Sequence, residues 1–251
     1  MRKLAVVLPA YNEESDVEKL VIRWQEYCDR IKCDYDLDMV IIVVDDGSSD
    51  STSDICRKLE KEYSNFTLVQ HEHNKGLGEA VKTGIFYTAN QIVDAEYLCI
   101  MDCDNTHDPK YVLDMLDSIE NHDVVIASRY QKGATIKGVA KYRLLTSEGA
   151  KYVYKFLLNV KNVKDYTCGY RLYRTTILKK GIERFGDDLI SESGFTCMAE
   201  LLYKIYCVGG RFAEIPFELR YDFKGGDSKM KVLKTAWNSV TLALRLRRIR
   251  R

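Results

Sequence analysis

Apolar residues in the first hundred positions alternate between two periods, and the alternation itself predicts the layout. Lys3 to Pro9 is a short apolar run with β-branched valines, the pattern of a strand, and Pro9, which has no N–H for a ladder, is expected to end it. From Asp16 to Ile31, the residues Val17, Leu20, Val21, Trp24, Tyr27 and Ile31 recur at helical spacing and predict one amphipathic helix. Met39 to Val44 is continuously apolar, as in a parallel strand covered on both faces, and it ends in the polar turn Asp45–Asp50. Ile55, Leu59 and Tyr63 then share a helix face behind a cap at Ser51 or Thr52. Phe66 to Gln70 reads as a third strand, Asn74–Gly78 opens a helix through about Asn90, and a fourth strand leads to Asp102. Four strand–helix alternations predict a doubly wound α/β unit, in which ligands bind beyond the carboxyl ends of the strands. Tyr11, Asp46, Lys75 and Asp102 fall at those ends.

The pattern loosens afterwards. Tyr111 to Ile119 predicts a helix, and Val124 to Ala127 a strand ending at Ser128-Arg129-Tyr130. Residues 131–164 are basic and aromatic, with Tyr142, Leu145, Tyr152, Phe156 and Leu157 suggesting one or two amphipathic helices. Tyr170 to Arg174 reads as a short strand, and a helix carries Met198, Leu201, Leu202 and Ile205. No linker rich in Pro, Gly or Ser interrupts the chain. Residues 1–228 therefore read as one domain, with a first half of about 1–105 and a second of about 106–228, followed by a basic amphipathic tail at 229–251.

The candidate chemistry centres on Ile100 to Pro109, IMDCDNTHDP. In extended chain Asp102 and Asp104, spaced i, i+2, leave a strand end on the same side. Two carboxylates held that close repel unless a cation sits between them, and hard divalent ions take such oxygen ligands. A solvated turn is the plain alternative. An EF-hand is excluded, because its sixth and twelfth positions, Gly and Glu, are here His107 and Leu113.

Composition narrows the class. The 251 residues are 46% hydrophobic and 30% charged, enough for a globular core. Eight cysteines show no C-x-x-C spacing, and several lie in apolar segments, so they read as reduced thiols of a cytoplasmic protein. No uncharged apolar run approaches the ~20 residues that span a bilayer. The net charge of +1 hides an asymmetry: Ser228 to Arg251 holds eight basic residues and no acid, which leaves −7 for the rest.

Eight motifs then coincide in order. VVLPAYNEE (Val6–Glu14), IIVVDDGSSDST (Ile41–Thr52), NKGLGEAVKTG (Asn74–Gly84) and IMDCDNTHDP together resemble family 2 glycosyltransferases of the GT-A fold. SRY (Ser128–Tyr130), YRLLTSEGA (Tyr142–Ala150), DYTCGYRLYR (Asp165–Arg174) and EIPFELR…GGDSKMK (Glu214–Lys231) are similar to dolichyl-phosphate mannosyltransferases and bacterial polyprenyl-phosphate sugar transferases. The resemblance implies a Rossmann-like, mostly parallel sheet covered by helices. It implies that Pro9, Tyr11, Glu13, Val44 and Asp46 hold base and ribose, and that Asp102, Asp104 and the backbone of Cys103 sit at the diphosphate and a Mg2+ or Mn2+ ion. The third metal position, often Gln in the family, is Thr106 here, a shorter ligand, with His107 and Asp108 as alternatives. Arg129 matches a positive position at the reacting phosphates, and Arg143, Arg220 and Lys229 match positions at the acceptor phosphate. Gly76 and Gly78 either let the diphosphate approach the start of a helix or form an ordinary turn, and Asp165, Gly169 and Arg171 shape the pocket.

The expected activity is an inverting, metal-dependent transfer of one sugar, with mannose from GDP-mannose favoured, onto a polyprenyl phosphate. A phosphate acceptor is already an anionic nucleophile, so Glu192 and Glu200 need not act as base. The rivals are a hydroxyl-acceptor enzyme of the same fold and a non-catalytic nucleotide-sugar-binding protein. No nucleic-acid module is present. In the tail, Leu233, Trp237, Val240 and Leu244 share one helical face amid Lys229, Lys231, Lys234, Arg245, Arg247, Arg248, Arg250 and Arg251. That predicts peripheral attachment to an anionic membrane surface, alone or with a membrane-spanning partner protein.

Overall fold

The computed structural model describes residues 2–138, 141–223 and 232–249, with the backbone alone for 141–148, 150, 223 and 232–236. Nine strands and nine α-helices are placed among the described residues. The first part of the chain gives β1 (Lys3–Ala10), α1 (Val17–Gln25), α2 (Cys28–Tyr35), β2 (Asp38–Asp45), α3 (Thr52–Glu62), β3 (Phe66–Gln70), α4 (Leu77–Gln91) and β4 (Ala95–Ile100). The second gives α5 (Tyr111–Ser118), β5 (Val124–Ser128), β6 (Thr135–Lys137), α6 (Lys141–Leu158), β7 (Arg171–Arg174), α7 (Thr175–Phe185), α8 (Cys197–Cys207), β8 (Phe212–Pro216), β9 (Glu218–Arg220) and α9 (Val232–Leu246).

Seven strands form one sheet in the order β3-β2-β1-β4-β7-β5-β8, and β6 and β9 form a small second sheet. Only β7 runs antiparallel to its neighbours; the other pairings are parallel. Helices flank the sheet, with α4 against β1, β2 and β4, and α7 against β4 and β7. Parallel strands covered on both faces must be apolar on both, which is why Leu4 to Leu8 and Ile41 to Val44 are wholly buried. Each such side chain contributes about 1.5–3 kcal/mol relative to exposure.

Three expectations are corrected. Pro9 does not end β1: it pairs with Val44 inside the strand. The β1–β4 ladder stops at Val7↔Ile100, and Val7 accepts there from the Met101 N–H. Pro9 faces the same side one repeat further on, where no bond is asked of its missing N–H. The single helix expected over 16–31 is two, α1 and α2, broken near Glu26 and Tyr27, although its apolar stripe of Val17, Leu20, Val21, Trp24 and Ile31 is buried as expected. Residues 131–164 hold one helix and also the strand β6, which the pairing of Thr135, Ile136 and Lys137 with Glu218, Leu219 and Arg220 calls into being.

The basic tail forms α9, which packs on α6 and α8. Its buried face is Ser239, Leu242, Ala243 and Leu246. The Trp237/Leu244 face lies outward, with Trp237 71% and Leu244 51% exposed. Lys229, Lys231, Arg250 and Arg251 lie outside the described residues, as do the side chains of Leu233 and Lys234. Among the described residues no helix is long and apolar enough to cross a membrane.

Candidate active site at the strand ends

The turns after β1 and β2 are laced together by their own polar side chains. Asn12, in a left-handed conformation (φ 52°), accepts from the Ser49 N–H at 2.8 Å, while its own N–H donates to Ser48 Oγ at 2.9 Å. The Glu13 N–H donates to Thr52 Oγ1 at 2.8 Å, and Glu14 Oε2 accepts from the Ser51 N–H at 2.9 Å. The start of α3 is capped by neither expected hydroxyl. Asp50 Oδ1 instead accepts from the N–H of Thr52 at 3.0 Å and from its hydroxyl at 2.5 Å. Burial pushes the Asp50 carboxyl up, but these donors outweigh it and hold the group below the usual carboxylate range. Tyr11 and Glu13, half-buried, stand on this laced turn, and Pro9 and Val44 are buried directly beneath as a cross-strand pair.

Asp46 is an organising acid. Its Oδ1 accepts from the Lys75 N–H at 2.9 Å and meets His71 Nδ1 at 2.7 Å, and its Oδ2 accepts from the Gly76 N–H at 2.8 Å. His71 Nε2 reaches Thr83 Oγ1 on α4 at 2.9 Å. One carboxylate thus joins the ends of β2 and β3 to the start of α4. His71 was not singled out in the sequence; its place just after a strand was the available signal. The glycine pair at the start of α4 serves close packing. A side chain on Gly78 would lie 1.8 Å from the Glu192 carbonyl oxygen and one on Gly76 would lie 2.5 Å from that of Ser193, while the Gly78 N–H donates to Ser193 O at 3.1 Å. That end of α4 is covered by residues 191–194.

Beyond β4 the acidic pair is set in a buried loop. Asp104 is 9% exposed and Cys103 3%. Asn105, at φ 55°, gives its amide to Asp16 Oδ1 and to the Asp16 carbonyl, both at 3.0 Å, and so pins the loop to the start of α1. Thr106 donates its hydroxyl to Asp104 Oδ1 at 2.6 Å and lies 3.1 Å from His107 Nδ1. Asp108 turns away to Arg23, at 3.2 Å. Gly169 lies so near Asp102 that a Cβ there would be 2.7 Å from Oδ1, a cradle only glycine leaves open. Two carboxylates at i, i+2 are donors of the kind a hard cation takes; among the described residues no group of three or more His, Cys, Asp or Glu forms a metal cluster. Mg2+ and Mn2+ sites of this type complete their shell with phosphate oxygens and water.

The positive residues are distributed unevenly. Arg129 is held by Asp165 in a two-pronged pair, Nε to Oδ2 at 2.8 Å and Nη2 to Oδ1 at 2.7 Å, and it also donates to Thr167 Oγ1 at 2.6 Å. Asp165 is fully buried. Burial would raise it, and the Arg129 guanidinium outweighs burial and holds it low. Arg171, also fully buried, donates to the carbonyls of Met198 (2.6 Å) and Tyr166 (2.7 Å). The Arg220 N–H donates to the Thr106 carbonyl at 2.9 Å, which puts β9 against the acidic loop, and its side chain pairs with Asp222 at 2.7 Å. Lys137 stands opposite Arg220 in the β6–β9 pair and bonds Glu218 at 2.6 Å. Arg143 lies on α6 with its side chain outside the described residues, and Lys229 lies outside them altogether.

The two glutamates differ. Glu200 is buried and accepts from Lys204 (2.7 Å), from the Ser191 hydroxyl (2.6 Å) and from the Glu192 N–H (2.8 Å). Burial raises its carboxyl, but Lys204 and Ser191 prevail and keep it low. Glu192 accepts from the Thr196 hydroxyl at 2.6 Å and from Arg245 of α9 at 2.8 Å. A cavity of about 480 Å³ bordered by Lys155, Lys161, Lys164 and Glu214 contains none of the candidate residues.

Comparison with known proteins gives the family and the fold. The model of glycosyl transferase family 2 matches residues 5–182. A dolichol-phosphate mannosyltransferase of Pyrococcus furiosus is 29% identical over 234 residues, 91% of this chain; the chain spans 59% of that relative's length. A polyprenol monophosphomannose synthase of Mycolicibacterium smegmatis is 29% identical over 217 residues, 86% of this chain and 76% of its own. Among solved structures, mannosyl-3-phosphoglycerate synthase from Rubrobacter xylanophilus shares the fold with a TM-score of 0.61 at 14% identity, over 97% of this chain and 73% of that one. A mannosyltransferase from Pyrobaculum calidifontis in complex with GDP-Man and Mn2+ does so with a TM-score of 0.56 at 16% identity, over 98% of this chain and 63% of that one. The α/β sheet is that of the GT-A fold, and the chain belongs to glycosyl transferase family 2.

Proposed function

We propose that this glycosyltransferase moves one sugar, mannose from GDP-mannose in preference, from a nucleoside diphosphate sugar onto a polyprenyl phosphate, with inversion and with Mg2+ or Mn2+. The observation that supports this reading is the bond from the Arg220 N–H to the Thr106 carbonyl, which sets β9 against the acidic loop, where donor and acceptor phosphates would meet. Asp102 and Asp104 would hold the cation, whose charge, when bound, stabilises the leaving diphosphate. Tyr11 and Glu13 would flank base and ribose, with Pro9, Val44 and Asp46 supporting them from below. Arg129, bound to Asp165, would direct its remaining guanidinium edge to the reacting phosphates, and Arg143, Arg220 and Lys229 would take the acceptor phosphate. The Glu192 carboxylate, already accepting from Thr196 and Arg245, is poorly placed to take a hydroxyl proton, which supports a phosphate acceptor. The names of the two mannosyltransferase relatives support the same choice.

The acceptor would be met at the cytoplasmic face of a membrane. Tyr152 and Phe156 on α6 are 62% and 83% exposed, and Trp237 and Leu244 stand outward on the adjoining α9 near Arg247 and Arg248. Apolar side chains of this kind enter the headgroup boundary, and each nearby basic residue adds about 1 kcal/mol at an anionic leaflet. The division into a nucleotide half (1–105), an acceptor half (106–228) and a tail belongs to this reading. The test crosses a panel of GDP- and UDP-sugars with polyprenyl phosphate and hydroxyl acceptors and weighs the products by mass spectrometry. A mannosyl polyprenyl phosphate is expected; product formed only on hydroxyl acceptors would sink the reading.

A further inference from the structure

The Thr106 hydroxyl owns one proton and gives it to Asp104 Oδ1 at 2.6 Å. The hydroxyl must therefore accept at its other contact, His107 Nδ1 at 3.1 Å, and this determines which ring nitrogen carries hydrogen. The other nitrogen, Nε2, lies 3.9 Å from Cys168 Sγ. The ring itself is clamped: it stacks on Phe217 with centroids 5.3 Å apart and 15° between planes, and it meets the edge of Tyr170 at 5.7 Å and 78°. His107 is 5% exposed.

We propose that His107 is a positioning residue for the cation-bearing carboxylate: its Nδ1–H holds the Thr106 hydroxyl on Asp104 and so sets the direction in which Asp104 meets a divalent ion. Thr106 then acts through Asp104, in the position where relatives of this motif place a longer side chain. Phe217, the stacking partner, leads directly into β9 and Arg220, so the strand that carries the acceptor cation also fixes the ring. The proposal rests on the reading of Asp102 and Asp104 as the cation site.

The experiment uses the full chain and counts bound Mn2+ by electron paramagnetic resonance, with GDP and in parallel with UDP. His107→Phe keeps an aromatic ring for stacking and loses the donor; His107→Asn can supply an amide donor where Nδ1 stood; Thr106→Val removes the hydroxyl at constant shape. His107→Phe and Thr106→Val are expected to weaken Mn2+ binding by about 10- to 100-fold, and His107→Asn to restore it to within about threefold of the unaltered chain. Nucleotide binding without metal should stay level in all three. Unchanged Mn2+ affinity in Thr106→Val, or in a folded His107→Phe, overturns the proposal, as does a folded His107→Asn no better than Thr106→Val. If the unaltered chain binds no Mn2+ with either nucleotide, the cation site itself is wrong and the proposal falls with it.

Discussion

In the parallel part of the sheet, β3-β2-β1-β4, buried acids rest on hydrogen-bond donors of the turns. Asp45 accepts from the hydroxyl of Ser53, the amide of Gln70 and the N–H of Ser48; Asp46 accepts from two backbone amides beside His71; Asp104 accepts from Thr106. In the part around β7-β5-β8 and the β6–β9 pair, acids rest on cations: Asp165 on Arg129, Glu200 on Lys204, Glu218 on Lys137 and Asp222 on Arg220. Neutral donors stabilise a carboxylate without cancelling its charge, whereas an ion pair cancels it. On the proposed reading, the first region would present its negative field to a metal ion. On the same reading, the second holds its cations on acids that an incoming phosphate would replace.

The sharpest way to break this contrast is Asp104→Asn. Removing one carboxylate of the pair should lower transfer by on the order of 10³-fold, the several kcal/mol a bound metal supplies, while the thermal midpoint hardly moves. Normal turnover with added Mg2+ or Mn2+ would show that the negative field serves nothing.

Asp165→Asn addresses the other region. It leaves the Arg129 guanidinium without its counter-charge, and denaturant titration should show a loss of about 3–5 kcal/mol. The pH dependence has a definite sign. The folded carboxyl of Asp165 is held low, so its stabilisation is complete above the unfolded value of about 4 and is lost as pH falls through the folded value. The unaltered chain should lose stability steeply on acidification there, and Asp165→Asn should show a flatter profile between pH 7 and pH 3.

Partner exchange at β9 is the next effect in size. Arg220→Ala should raise the acceptor KM by about tenfold and leave nucleotide affinity unchanged, whereas Asp222→Asn, which removes one acid partner of the same guanidinium and leaves Glu218, should lower that KM by about threefold. Equal losses of nucleotide affinity in both would place Arg220 at the donor. The smallest effect is expected from Glu192→Gln, with transfer within about threefold of normal, since its carboxylate serves Thr196 and Arg245. Complete loss in a folded variant would favour a hydroxyl acceptor.

Much of the parallel region was legible because its information is local. Apolar runs such as Ile41 to Val44 read as strands buried on both faces, which they are, with polar turns after them. The i, i+2 spacing of Asp102 and Asp104 singled the pair out as well, although β4 ends at Ile100 and the pair lies in the loop beyond it rather than in extended strand. Where the local pattern misled, a neighbour had changed the rule. Pro9 is tolerated because the β4 ladder has already ended, and β6 exists because β9 lies beside it.

The sequence alone therefore determined the alternation of elements, the acidic pair and the motif order that identified the family, since each depends on contacts a few residues apart. Tertiary structure alone decided how charges are partnered. Asp165 finds Arg129 from 36 residues away, Arg245 finds Glu192 from 53, and Thr106 meets the Arg220 amide across the small sheet. It also decided which stripe of α9 is buried, Leu242, Ala243 and Leu246, leaving Trp237 and Leu244 outward, though both stripes are apolar in the sequence. Spacing cannot choose between two apolar faces or among dozens of possible ion-pair partners; only the packing of α6, α8 and the sheet brings one of them within reach.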